Sequence, residues 1–411
     1  MLIDLSPLRR HRDFRLVFAG QLVSGFGSFL TYVALPVQLY ELTRSSVLVG
    51  LVGTAQIVPL AATALWGGAL ADAVDRRRLL LWAEGLLLLG ALVLLANSMR
   101  ARPSVAVIFA VAAFSSAVNG LHRPALSSLV PRLVAPEDLP AVSALSSLQG
   151  TAAAIAGPAL AGVSIATLGL PFTFGVDAAT FVVSLLAVSA IRAMPPPSSA
   201  SPAGISSILE GLRYAMSRKE LIGTYVVDIV AMTFAMPMAV FPALATRWGG
   251  SSAAGYLFSA MSVGGLAVTL FSGWTARVAR QGAAVVVAAA LWGAAIVLLG
   301  QASSLAAAVA CLALAGAADM VSGLFRMTIW NETIPSSIRG RMAGIEQLSY
   351  MTGPLLGNTR AGLMAERLGV APSITWGGAA CVAGVLLCIP LLPAFWTYRR
   401  PAAPVDATPR A

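Results

Sequence analysis

The sequence predicts an all-α membrane protein with twelve transmembrane helices, arranged as two six-helix bundles. Three observations predict it. Apolar runs of membrane-spanning length recur along the whole chain. Basic residues gather on one side of those runs. The helix breaks of the first half reappear in the second.

Composition excludes a soluble protein. The 411 residues are 58% hydrophobic and 11% charged, with a mean hydropathy of +0.82. Soluble domains are about 45–50% apolar and about 25% charged. Twelve apolar runs stand out: 14–40, 46–71, 79–97, 104–130, 140–166, 171–192, 221–245, 252–273, 283–300, 304–330, 343–364 and 372–396. Each is near the roughly 20 residues that a helix needs to cross a bilayer. Gly and Pro inside the runs are tolerated in lipid, where neighbouring helices re-satisfy the backbone. Tyr40, Trp82, Trp248, Trp330, Trp396 and Tyr398 lie near run ends, as interfacial aromatics do. The first run is too long for a cleaved leader and carries Gln21.

Charge sets the expected orientation. Of the 27 Lys and Arg residues, twenty-one fall in segments on one side of the runs and five on the other, with Arg360 inside a run. The positive-inside rule then puts both termini in the cytoplasm, in the cell's inner membrane. The net charge of +10 reads as topology and contact with anionic headgroups, not as a nucleic-acid footprint.

The polar interval "MPPPSSASPAGISSILEGLRYAMSRKE" divides the chain. Expected units are a bundle over 1–192, a cytoplasmic linker over 193–220, a bundle over 221–396 and a cytoplasmic tail over 397–411. Within the linker, Ile205, Ile208, Leu209, Leu212 and Met216 share one helical face. They suggest a short amphipathic helix on the membrane surface, the alternative being an unstructured tether. Pro36 matches Pro242, Gly68 matches Gly273, and "GPALAG" at 157–162 resembles "GPLLGN" at 353–358. Such matched breaks indicate an internal duplication, the plan of transporters that bind substrate between two related bundles.

Asp72, Asp75, Arg76, Arg77 and Arg78 crowd into the turn between the second and third runs. The arginines are read as following a helix C-terminus, where the dipole favours cations. Asp72 falls in the last turn, where an anion needs a partner from elsewhere. The matching start in the second half, "SIRGRMAGIEQ", offers Arg339 and Arg341. A contact between them would tie the halves together and break on opening.

"GALADAVDRRRLL" resembles the loop motif of the major facilitator superfamily, G-x-L-x-D-R-x-G-R-R/K. Gly68, Leu70, Asp72, Arg76 and Arg77 match, while Ala73 and Asp75 depart from it. Gly150, Gly157, Pro158 and Gly162 resemble part of the glycine-proline motif of the superfamily's proton-driven antiporters. The stretches "LVPRLVAPEDLPAVSAL", "FGVDAATFVVSLL", "GAADMVSGLFR" and "RGRMAG" are similar to the drug:proton antiporter branch that includes the enterobactin exporter and macrolide efflux proteins. The resemblance spans almost the whole chain. It implies the major facilitator fold and export of small amphipathic molecules, a siderophore or a drug, by proton antiport.

Ionisable residues at membrane depth are costly and are functional candidates by default. Asp228 lies about 10 Å into its run and Asp319 about 21 Å from the outer end of its own, at about 1.5 Å per residue. These two, with Asp177, are the proton-coupling candidates. Arg326 follows Asp319 by seven residues on one face, so Asp319 is expected to be the carboxylate it holds, leaving Asp228 freer. Glu84 and Glu346 are read as structural interfacial pairs. Met232, Met236, Asn119 and Gln149 are candidate pocket lining, the methionines as an adaptable apolar wall.

Cys311, Cys381 and Cys388 read as small buried hydrophobes, and no metal or other cofactor is called for. Expected partners are a small-molecule substrate, protons and the lipid bilayer, with the protein acting as a monomer. The rival readings are an importer of the same fold, a membrane enzyme and a receptor or scaffold. No Ser-His, His-Asp or metal-ligand cluster supports the enzyme.

Overall fold

The computed structural model describes residues 4–194, 205–335 and 338–399; within these, the side chains of 65–73, 205–209, 276, 339–341, 343–344 and 347–348 stand outside the description. The described residues are helical almost throughout. The helices are α1 (Ser6–Arg10), α2 (Arg12–Thr43), α3 (Ser46–Ala73), α4 (Arg76–Ser98), α5 (Val105–Leu129), α6 (Leu139–Ser189), α7 (Ile205–Ser217), α8 (Lys219–Ala235), α9 (Phe241–Ala245), α10 (Ser251–Leu270), α11 (Gln281–Gly300), α12 (Leu305–Thr333), α13 (Arg339–Leu368), α14 (Val370–Leu391) and α15 (Pro393–Trp396).

Ten segments of the described residues are long and apolar enough to cross a membrane. One of them, Pro136–Ser189, runs 54 residues and holds two of the expected runs. Gly169 divides it with φ 82 and ψ 171, a conformation that glycine adopts without a Cβ penalty. The eleventh run forms α13, which carries Glu346, Asn358, Thr359 and Arg360 and is not among those ten. With these two, the helices account for twelve crossings. The seventh run is interrupted: α8 stops at Ala235, Met236 and Pro237 follow, and a 3₁₀ turn over Met238–Val240 leads into α9. Proline lacks the N–H that would continue the ladder. The linker segment forms α7, on which Leu212 and Met216 are exposed and Ala215 is buried.

Within each half the helices pack on one another. In the first half α2 packs on α6, α3 on α5, and α4 on both α5 and α6. In the second half α8 packs on α13 and α14, α10 on α12, and α11 on α12 and α14. Leu89, Leu186, Leu291, Leu314 and Leu387 face outward, as helix surfaces in contact with lipid must.

Two seams join the halves, α3 with α13 and α6 with α10. Along the first, Thr54 and Thr359 share a hydrogen bond of 2.6 Å, and Thr359 Oγ1 donates to Gly50 O at 3.0 Å. A Cβ on Gly53 would stand 2.9 Å from Leu355 O. Along the second, a Cβ on Gly162 would stand 2.8 Å from the Cα of Gly255. Tyr32 on α2 reaches Met238 Sδ at 2.7 Å and meets Phe258 edge-on at 5.6 Å. All these contacts lie towards the end that carries residues 43–46 and 245–251.

The charged turn is built differently from the expectation. Arg76–Arg78 open α4 instead of trailing α3. A helix N-terminus disfavours cations, and two features offset this. Asp75 caps α4, accepting from Arg78 N at 3.1 Å and from Met194 N at 3.0 Å. Arg77 turns away to the C-terminal end of α6, donating to Val188 O at 3.2 Å and to Ser189 O. At a position where it departs from the loop motif, Asp75 thus serves as a helix cap. The Arg76 backbone N–H donates to Met194 O at 3.1 Å, and Arg76 is buried. Gly68 and Asp72 fall in α3 and Arg339 and Arg341 in α13, and these side chains lie outside the described residues.

Candidate functional site

α8 brings Asp228, and α12 brings Asp319 and Arg326, into the interior of the second half. The seven-residue spacing puts the two α12 side chains on one face. Across the helix interface, the Arg326 guanidinium pairs directly with Asp228. Its Nη2 stands 3.6 Å from Asp319 Oδ1. Asp228 and Arg326 are buried, with 5% and 4% of their side chains exposed, while Asp319 has 39% exposed. Asp228 is therefore the carboxylate that the arginine holds, and Asp319 the freer one, the reverse of the order inferred from spacing along α12. Spacing compares positions on one helix; the closer partner comes from a neighbour.

Aromatic side chains wall the group on the side of α13. The guanidinium lies over the Tyr350 ring at 5.1 Å, a favourable cation–π arrangement. Trp330 packs between Tyr350 and Tyr225 at 5.2 and 5.7 Å and donates to Thr224 Oγ1 at 2.9 Å. A narrow cleft is lined by Asp228, Ala231, Met232, Ala289, Trp292, Asp319 and Ser322. Trp292 is buried there and its indole N–H has no hydrogen-bond partner. Neither Trp292 nor Tyr350 was a candidate from sequence, because a Trp or Tyr in an apolar run looks like filling until its neighbours are known.

Chemically, two carboxylates share one guanidinium. With both ionised the group carries one net negative charge; with one proton added it is neutral. Protonation of one acid passes the arginine wholly to the other. Such coupled groups titrate as a unit.

The remaining candidates spread more widely. Met232 lines the cleft, whereas Met236 packs on α13, where a Cβ on Gly357 would stand 2.7 Å from Met236 Cβ. Asn119 is half-buried and donates to Ser115 O of its own helix at 2.9 Å. Gln149 is half-buried on α6, and Gly150 beside it faces open space. Gly157 admits the Phe29 ring, its would-be Cβ 3.1 Å from Phe29 Cγ, and Gly162 meets Gly255. The Pro158 carbonyl faces Gly255. The motif thus sits at the α2–α6 and α6–α10 contacts. Asp177 is buried in the first half, where Thr31 donates to its Oδ2 and Oδ1 has no partner. It is remote from the arginine group. Among the described residues no cluster of three His, Cys, Asp or Glu could hold a metal.

Known proteins agree with this architecture. A sequence profile for a family described as "transmembrane secretion effector" matches residues 3–398. The enterobactin exporter of Citrobacter koseri is 31% identical over 99% of this chain and 98% of its own length. That of Shigella boydii serotype 4 is 31% identical over 95% of this chain and 94% of its own. Among solved structures, a POT family transporter in complex with 5-aminolevulinic acid superposes with a TM-score of 0.74 at 11% identity, covering 94% of this chain and 97% of that one. A bacterial homologue of the iron transporter ferroportin, in an inward-facing state, superposes with a TM-score of 0.69 at 15% identity, covering 94% of this chain and 99% of that one. At these identities the two structures speak for the fold alone. This protein belongs to the transmembrane secretion effector family and is a membrane transporter of the major facilitator type, not an enzyme.

Proposed function

We propose that this chain is a secondary active transporter that exports small amphipathic molecules, a siderophore or a hydrophobic drug, in exchange for protons. It works by alternating access, as a monomer in the inner membrane with both termini cytoplasmic. Its two bundles are residues 1–192 and 221–396, with 193–220 as the cytoplasmic linker and 397–411 as a tail. The observation that carries the reading is the Asp228–Arg326–Asp319 group, a buried ion pair with a second, more exposed acid beside it. A pair of acids around one arginine gives two charge states, and coupling needs each state to favour a different conformation or substrate affinity. The relatives named as enterobactin exporters support outward transport of a siderophore-like substrate.

The lopsided charge distribution supports this orientation, in which the joined end, at 43–46 and 245–251, is outside. The proposed gate at the opposite end is Asp72 with Arg339 and Arg341, beside Gly68, Arg76 and Arg77.

The test is transport in proteoliposomes, with enterobactin and a lipophilic dye as probes, with and without an imposed pH gradient. The wild type is expected to concentrate one of them only with the gradient. Asp228→Asn and Asp319→Asn are expected to equilibrate it without concentrating it. Uphill transport by the double variant with wild-type pH dependence would refute the assignment of these acids, leaving Asp177 as the alternative. Gradient-driven uptake in the opposite sense would make the protein an importer.

A further inference from the structure

The first half contains a buried ionisable pair that the reading above does not use. Glu84 on α4 is fully buried, at 0% exposure, not the shallow interfacial group its sequence position suggests. Its Oε1 stands 2.9 Å from Nε2 of His122 on α5 and accepts from Nε2 of Gln21 on α2 at 2.6 Å. The Gln21 amide also donates to Ser184 Oγ on α6 at 3.2 Å. α2 and α5 thus meet at one carboxyl group of α4, with α6 joined through Gln21, and its second oxygen, Oε2, has no partner.

The surroundings leave the pair to balance its own charge. From α6, Ser184 is neutral, and the next titratable residue is Asp177, two turns along. From α2 comes only the neutral Gln21. α3 carries no titratable residue over 46–64. Arg76 and Arg77 begin α4 two turns away, with Arg77 bound to the α6 carbonyls. Three proton counts are possible. With no proton on the pair, a bare carboxylate is buried in an apolar interior. With two, an imidazolium is buried beside a neutral acid. With one, shared between Glu84 and His122, the pair is neutral overall. Uncompensated charge at this depth is expensive, so the one-proton state is the stable one while the cluster stays dry. His122 has 11% of its side chain exposed against 0% for Glu84, so the imidazole is the edge that water meets first.

We propose that Glu84 and His122 form a second proton-binding site, in the first half, which holds one shared proton and exchanges it through His122. The site does not depend on the roles assigned to Asp228 and Asp319.

The sequence makes the test direct, because it has two histidines. His11 lies between α1 and α2 and pairs with Asp138 at 2.8 Å. In a His11→Gln background, histidine labelled with nitrogen-15 reports His122 alone, in the full chain in lipid nanodiscs. Near neutral pH the Nε2 nitrogen is expected to carry a proton, shared with Glu84 and exchanging with water. Glu84→Gln, which keeps a hydrogen-bonding group of the same size, is expected to move the Nε2 signal, because the acid that shares its proton is gone. If Glu84→Gln does not fold, Glu84→Asp is read in the same way. An Nε2 that carries no proton, or a signal that stays put when Glu84 changes, overturns the proposal. Because no substrate is used, failure here leaves the transport assays unaffected, and the reverse also holds.

Discussion

Replacing Arg326 with leucine should damage the protein more than replacing either acid it touches. Arg326 and Asp228 are 4% and 5% exposed and directly paired. Removing the arginine leaves a buried carboxylate with no counter-charge, a loss of about 3–5 kcal/mol. Asp228→Asn leaves the arginine within 3.6 Å of Asp319, so one charged contact is lost and another can shorten, at a cost of about 1–3 kcal/mol. Asp319→Asn removes only a longer contact to a side chain that is 39% exposed, worth about 0–1 kcal/mol. The order of loss is therefore Arg326→Leu, then Asp228→Asn, then Asp319→Asn. The double variant Asp228→Asn with Arg326→Leu should be more stable than Arg326→Leu alone, because the buried position 228 no longer holds a bare carboxylate and only the more exposed Asp319 is left without the arginine. Thermal melting of the four proteins in nanodiscs, at mildly alkaline pH where free carboxyls are ionised, gives the ranking. If Arg326→Leu melts at or above Asp228→Asn, or if the double variant recovers nothing, the arginine is not the charge that holds these helices together.

Other consequences are equally open to measurement. Asp75→Ala removes the α4 cap and the tie to Met194, and should lower stability by about 1–2 kcal/mol, while Asp75→Asn should lose less; melting checks both. Gly162→Leu would drive a side chain into Gly255 and should lengthen the distance between spin labels at Arg44 and Arg247, whereas an unchanged distance would mean the seam tolerates bulk. Thr359→Val removes its bonds to Thr54 and Gly50 and should weaken that seam by about 1 kcal/mol, seen as a larger open fraction in the same distance measurement. Asp72→Asn should separate the halves at the opposite end and slow transport, with little loss of folded protein; an unchanged spin-label distance there would remove Asp72 from the gate.

The sequence carried the fold well because lipid permits few solutions. Helices that must satisfy their own backbones betray themselves as apolar runs, and Pro237 and Gly169 break the runs for local reasons. α13 was counted among the apolar runs as 343–364, although its polar residues dilute the apolar signal. The site was less visible. Asp228, Asp319 and Arg326 were candidates by depth, but their pairing joins α8 to α12, and no spacing within one helix encodes it. His122 drew no notice because its partner is thirty-eight positions earlier. The direction of the dipole at Arg76–Arg78 turned on whether a turn ends one residue earlier or later, which hydropathy alone does not resolve.

The seams that join the halves have one further consequence. Among the described residues they are made of glycine against backbone, hydroxyl against hydroxyl and ring against ring at the joined end, with Glu41 and Ser251, 3.5 Å apart, as a charged contact at the edge. Dispersion and neutral hydrogen bonds are not screened by dissolved ions, in contrast to exposed charge pairs. The latch should therefore hold almost equally well in dilute buffer and in concentrated salt, and neither end of the acidity range should release it directly. A signal carried by protons must reach it as mechanical work, transmitted along rigid helices from ionisable groups elsewhere in the molecule.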